Sequence, residues 1–367
     1  MLRERSRGTT RKRASPGGFD ALKTMIDIAA EAGLSRYTVS KVLKGDPSVR
    51  RNNREKVLKL CEKYGFVPNA NAVNLVSGGP RIIGMIVPYI TDGFYAELIE
   101  FAEKYASSRG LSMIYQSSYN DPLIEQRIIR SFMGIKVQAL LLVPVLGTGN
   151  LKLHRQAAAN FPVICLDRII SPDCCAVLND NRDSCRTMTE HLFDNAAQVA
   201  YLGSFYRESN PTASARRQGY LDAVSARESE PFFLPLQAIC EQQDNECFGY
   251  ENIAAFLRDG GKIPDAICCV TDAVALGAMR ALRDAGYTPG EDVLIGGHDN
   301  LRFCEYTTPP LSSMAQPKQE MATAAIDVAL RSIADGTIDH RQTILKSELV
   351  IRRSSLASGK RASAHRS

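Results

Sequence analysis

From about residue 81 to residue 351, short apolar runs alternate with amphipathic stretches of helical period, and this alternation constrains the fold more than any other feature. Residues 82–87, 111–116, 138–143, 163–166, 177–179, 199–202, 266–270 and 294–295 read as strands, with helices such as 94–108 and 123–133 lying between most of them. Strands that alternate with helices build parallel sheets, so the pattern predicts an α/β fold. A span of this length is better read as two linked lobes than as one sheet. None of its apolar runs is long enough to cross a bilayer, and no apolar stretch of the secretory kind follows the basic start of the chain, so a cytoplasmic protein is expected.

The charge is unevenly placed. Of the formal net charge of +5, residues 1–80 carry +9 and the rest of the chain −4. A basic head on an acidic body is the electrostatic footprint of a nucleic-acid binder. The ten cysteines include the adjacent pairs Cys174-Cys175 and Cys268-Cys269 but no Cys-x-x-Cys. They read as small buried hydrophobes. The five histidines lack ligand spacing, so neither metal nor cofactor is expected.

Within the head, residues 1–22 read as a disordered basic tail. Thr24 caps a first helix and forms a capping box with Asp27, and Ile26, Ile28, Ala29 and Ala32 supply its apolar face. Gly33 ends it. Ser35 caps a second helix, whose buried stripe is Val39, Val42 and Leu43 and whose outward row is Arg36, Tyr37, Ser40 and Lys41. Two short helices joined by a glycine turn form a helix-turn-helix, and those outward residue types read base edges or grip phosphates in a major groove. A third helix is predicted over 53–64, with Val57, Leu58, Cys61 and Tyr64 inward. A short helix, 70–76, follows Pro68-Asn69.

The run TMIDIAAEAGLSRYTVSKVL (24–43), followed by YGFVPNANAVNL (64–75), resembles the DNA-binding head of the lactose/galactose-repressor family. The resemblance continues through IGMIVPYITDGFYAEL (83–98), YLG (201–203), ARRQGY (215–220), TDAVALGAMRAL (271–282), GGHDN (296–300) and TPPLSSMAQP (308–317), in family order. It implies a helix-turn-helix domain with a hinge helix over 23–80 and a two-lobed periplasmic-binding-protein-like core over 81–353; residues 354–367, outside the resemblance, read as a disordered tail. It also implies a homodimer on a pseudo-palindromic double-stranded DNA operator. Asn69 then belongs to the hinge, and Leu75 is the residue that wedges into the minor groove. One departure is Ala72-Val73-Asn74-Leu75, where the family commonly has Ala-Arg-Ser-Leu.

In such cores the ligand sits between the lobes, at the carboxyl ends of the strands. The polar residues just after strands are Asp92, Asp167, Arg168, Thr271 and Asp299, and Phe94 and Arg216 join them as candidate effector contacts. Arg216 takes the position of the family's ligand-gripping arginine. Thr271 and Asp92-Gly93 stand where Asn and Asn-Pro are common, and Asp272 reads as a helix cap. Acids and arginine that bind neighbouring hydroxyls suit a sugar-like effector. A solute-binding transport component, a regulator driven by a protein corepressor and an enzyme are the alternatives. The helix-turn-helix argues against the transport component, and the lack of a phosphate loop, nucleophile elbow or metal cluster argues against the enzyme.

Overall fold

The computed structural model describes residues 23–66, 81–147, 149–169, 171–203, 210–236, 240, 244–337 and 341–356, and it divides at residue 80 into a small head and a large core. In the head, α1 (Met25–Ala32), α2 (Arg36–Leu43) and α3 (Arg51–Lys63) enclose Ile28, Ala29, Ala32, Val39, Val42 and Val57. Thr24 and Asp27 form the expected capping box, and Ser35 caps α2 through the Thr38 amide. Gly33 closes α1 at φ +65°, and its N–H reaches the Ala29 and Ala30 carbonyls. A Cβ is strained at that φ, so glycine fits where the chain must turn sharply into α2. Two assignments made from periodicity change. Ile26 is 56% exposed and Leu58 49%, because three short helices enclose a core too small to cover them. Residues 67–80, with the predicted hinge helix, Asn69 and Leu75, lie outside the described residues.

The core holds two six-stranded sheets. The first comprises β1 (Ile82–Val87), β2 (Ser112–Ser117), β3 (Ala139–Leu142), β4 (Val163–Leu166), β5 (Ala176–Asn179) and β11 (Gln342–Leu345), in the order β11-β5-β4-β3-β1-β2. The second comprises β6 (Val199–Leu202), β7 (Phe232–Phe233), β8 (Ala266–Cys269), β9 (Leu294–His298), β10 (Ser312–Ala315) and β12 (Glu348–Val350), in the order β12-β10-β9-β8-β6-β7. Every pairing within the sheets is parallel except β10 with β12. The central strands β3, β4, β6, β8 and β9 are buried along their length, as expected of strands covered by helices on both faces.

The chain passes between the sheets three times: after β5, after β10 through the helix Lys318–Asp335, and between β11 and β12. Each lobe is therefore discontinuous in sequence. Helices in the second lobe pack with their backbones almost touching. A Cβ on Gly277 would lie 1.9 Å from the Glu246 carbonyl oxygen, and one on Gly249 would lie 2.1 Å from that of Val274. The predicted terminal tail begins too early. Ser354 and Ser355 are fully buried, and the Ser354 hydroxyl donates to the Ile295 carbonyl at 2.6 Å, which fastens this segment to β9.

Candidate functional site

Two regions carry chemistry. In the head, Arg36 and Tyr37 stand exposed in the first turn of α2, with Tyr37 at 72% exposure, and Ser40 and Lys41 are half-buried one turn later. Thr24 and Ser35 are the caps that position these helices. The Lys41 ammonium is turned toward the loop after α2, 3.2 Å from the Asp46 carboxylate and 3.1 Å from the Ser48 hydroxyl. Bonds from the Ser48 side chain and amide, aided by Lys41, hold the Asp46 carboxyl down at about 2. Sequence reasoning placed Lys41 in the outward row of the second helix and missed this partner. Arg54 donates to the Asp46 carbonyl at 2.6 Å and holds the same loop.

In the core, a cavity of about 520 Å³ lies between the lobes and is lined by all seven nominated residues. The first lobe supplies Asp92 and Phe94, after β1, and Asp167 and Arg168, after β4. The second supplies Arg216, from the helix Pro211–Ala226, Thr271, after β8, and Asp299, after β9. Asp167 and Asp299 have positive φ, 63° and 115°, as does Asn300 at 48°. Non-glycine residues adopt such conformations at a cost of about 1–3 kcal/mol and cluster at functional sites.

Arg216 organises the second lobe's wall. Its Nε donates to Asn181 Oδ1 at 2.8 Å and its Nη1 to the Val270 carbonyl at 2.7 Å, while Nη2 lies 3.5 Å from Asp299 Oδ1. The same Asp299 oxygen accepts from Gln316 Nε2 at 2.7 Å and lies 3.1 Å from His298 Nδ1. Burial opposes the Asp299 charge, but Arg216, His298 and Gln316 together hold its pKa below the usual carboxylate range. Burial, then Arg216, lowers His298 to about 4. Opposite, the Tyr95 hydroxyl donates to Asp167 Oδ2 at 3.0 Å, and Arg168 Nη2 donates to Asn120 at 3.2 Å. Burial raises Asp167 despite Arg168 and Arg216, and burial, then the charge of Asp299, raises Asp92 to about 7.

The cap assignment is reversed. Thr271, nominated as a ligand contact, is the cap of the helix Asp272–Asp284 and accepts from the Val274 amide, while remaining on the cavity wall. Asp272, read as the cap, is fully buried. It accepts from the Leu301 amide at 2.8 Å, Cys304 Sγ at 3.2 Å and the Ser313 hydroxyl at 2.5 Å. It thereby holds the loop carrying Asp299, Leu301 and Phe303 against β10. Asp92 likewise caps the helix Gly93–Ser108 through the Phe94 amide at 2.9 Å. Sequence reasoning also missed Tyr95, Gln316 and Lys318. Lys318 Nζ lies 2.6 Å from Glu97 and donates to the Asp299 carbonyl at 2.7 Å, which joins the two lobes. Gln316 and Lys318 stand just after β10, a strand that the apolar pattern did not mark, so the rule that nominated the others did not reach them.

A helix-turn-helix head joined to a two-lobed core with an interlobe cavity defines a DNA-binding regulator with a sensor domain. The family model "Bacterial regulatory proteins, lacI family" matches residues 24–69, and "Periplasmic binding protein-like domain" matches residues 190–355. The chain is 27% identical over 336 residues to "HTH-type transcriptional repressor PurR" of Vibrio campbellii, covering 90% of this chain and 98% of that one. It is also 27% identical over 335 residues to "Ribose operon repressor" of Haemophilus influenzae, covering 91% and 98%. Its fold matches the crystal structure of the Lac repressor dimer bound to operator and the anti-inducer ONPF. There the TM-score is 0.79 and the identity 22%, over 92% of this chain and all of that one. The chain therefore carries a DNA-binding domain of the lacI family at its head and a periplasmic binding protein-like domain in its core.

Proposed function

We propose that the protein is a cytoplasmic, homodimeric transcription repressor whose affinity for a pseudo-palindromic operator is set by a small sugar-like effector bound between the lobes. The observation that carries the effector reading is the cavity lined by seven residues drawn from five separate segments of both lobes. The relatives named as repressors support the direction of control, and the name of the ribose operon repressor supports a sugar. On this reading, Arg36, Tyr37, Ser40 and Lys41 meet the DNA, with Thr24, Ser35 and Asn69 positioning the helices and Leu75 wedging into the minor groove. No cofactor or catalytic step is involved.

Control is a shift between lobe arrangements. An effector that touches Asp167 and Arg168 on one side and Arg216 and Asp299 on the other has different contacts when the lobes move, and only such a difference shifts the equilibrium. The experiment is a thermal-shift screen of the full-length protein against a sugar library, with operator affinity measured for each ligand found. A ligand that raises the unfolding temperature and changes operator affinity is the expected result. If no sugar does either, the effector reading fails while the DNA-binding reading stands.

A further inference from the structure

The interlobe cavity is lined by five carboxylates, Asp92, Glu97, Asp167, Glu246 and Asp299, against three cations; Asp167 and Asp299 are buried and Asp92 is half-buried. Asp92 and Asp167 enter from the first lobe and Asp299 from the second, with Asp272 buried just behind them. The lining cations are Arg168, Arg216 and the exposed Arg302, and Arg216 is committed to Asn181, the Val270 carbonyl and Asp299. Glu97 is matched by Lys318 at 2.6 Å. Among the described residues, neither Asp92 nor Asp167 forms an ion pair. The repulsion registers in the titration. Burial raises Asp92 to about 7 and Asp272 to about 6, and in both the nearby charge of Asp299 raises the pKa further. A carboxylate taken out of water without a counter-charge is costly, and a bound cation relieves that cost.

The hydrogen-bonding groups point to a ligand as well. Gln316 is 4% exposed and lines the cavity. Its Nε2 donates to Asp299 Oδ1 at 2.7 Å, which fixes the amide orientation and leaves Oε1 as a buried acceptor with no partner. Arg168 is also 4% exposed, and its Nε is a donor with no partner. A buried polar group left unpaired is destabilising, so both atoms are matched when a ligand fills the space. The missing charge does not suit a metal ion: among the described residues, no group of three or more carboxylate, imidazole or thiol side chains is placed to hold one.

We infer that the effector is a polyhydroxylated amine of the hexosamine class, whose ammonium sits between Asp92 of the first lobe and Asp299 of the second. Its hydroxyls meet Arg168 Nε and Gln316 Oε1. The ammonium then bridges the two lobes, so the group that supplies the missing charge also favours their closed arrangement. This rests on the effector reading of the cavity.

The test is calorimetry on the full-length protein with glucosamine, galactosamine and mannosamine. Each is compared with its neutral hexose and with its N-acetyl derivative, which keeps the skeleton and removes the charge. At least one hexosamine is expected to bind tenfold or more tighter than both of its counterparts. In Asp92→Asn, whose folding is checked by circular dichroism, that preference is expected to fall at least fivefold. If hexoses or N-acetylhexosamines bind as tightly as the amines, the amine assignment is overturned and the sugar-sensor reading survives. If none of the panel binds while operator binding is intact, the hexosamine assignment is overturned and the sugar-sensor reading rests on the wider sugar library. An undiminished preference in Asp92→Asn removes Asp92 from the assignment and overturns the bridging geometry.

Discussion

Replacing Arg216 by methionine removes the guanidinium while keeping most of the side-chain length. Two charged hydrogen bonds disappear, at 2.8 and 2.7 Å, together with the 3.5 Å approach to Asp299. Arg216 is 6% exposed and Asp299 5%, so water does not take over the abandoned charge. Removing one partner of a buried pair costs about 3–5 kcal/mol, and the apolar methionine recovers only part of this. The sign with pH follows from Asp299. In the wild type its pKa is depressed, so it contributes stability at neutral pH that is lost as pH falls through its folded pKa. Without Arg216, burial dominates and the pKa rises above the usual value. The variant therefore folds with a neutral Asp299 at lower pH, and its deficit against the wild type narrows between pH 7.5 and pH 5. The chain has no tryptophan, so urea unfolding is followed by far-UV circular dichroism. A second substitution, Asp299→Asn, is expected to restore at least about 1 kcal/mol, because the two residues are directly coupled. A deficit below about 1 kcal/mol at pH 7.5, an equal deficit at both pH values, or strict additivity in the double variant would refute the reasoning.

Arg36→Ala and Lys41→Ala should each weaken operator binding and reduce the slope of log affinity against log salt by about one for each phosphate that is no longer neutralised, as read by fluorescence anisotropy; unchanged slopes would remove both residues from the DNA interface. Gly277→Ala places a Cβ 1.9 Å from the Glu246 carbonyl oxygen, a backbone atom that cannot swing aside, and should destabilise the core by about 1–3 kcal/mol or more in urea unfolding. Thr24→Ala removes the hydroxyl that accepts from the Asp27 amide and donates to the Asp27 carboxylate, while the Thr24 backbone N–H still reaches that carboxylate, at an expected cost of about 0.5–2 kcal/mol to the head. It should lower the temperature at which operator binding is lost while leaving the unfolding midpoint of the core in place.

The sequence by itself determined the local elements and the positions from which the cavity is built. Capping residues, the Gly33 turn and the period of the apolar residues are properties of neighbouring residues, so α1 and α2 were legible with their caps. The rule that ligands meet the carboxyl ends of parallel strands placed Asp92, Asp167, Arg168, Thr271 and Asp299 on one cavity wall or the other, and the family resemblance added Arg216. Only the tertiary structure decided how they are used. That Asp299 is held by Arg216, Gln316 and His298 at once depends on β9 lying beside β10 and on the strand β8 between β9 and β6, and strand order leaves no periodic trace in the chain. Thr271 and Asp272 are adjacent and both suited to capping; the burial of Asp272 against Leu301, Cys304 and Ser313, residues far along the chain, settles which of them caps the helix. Ser354 and Ser355 look like the start of a polar tail, yet the return of the chain to the second sheet through β12 buries them beneath it. Patterns over a few residues fix local conformation, whereas the partners of a buried polar group are set by which distant segments the sheet topology brings together.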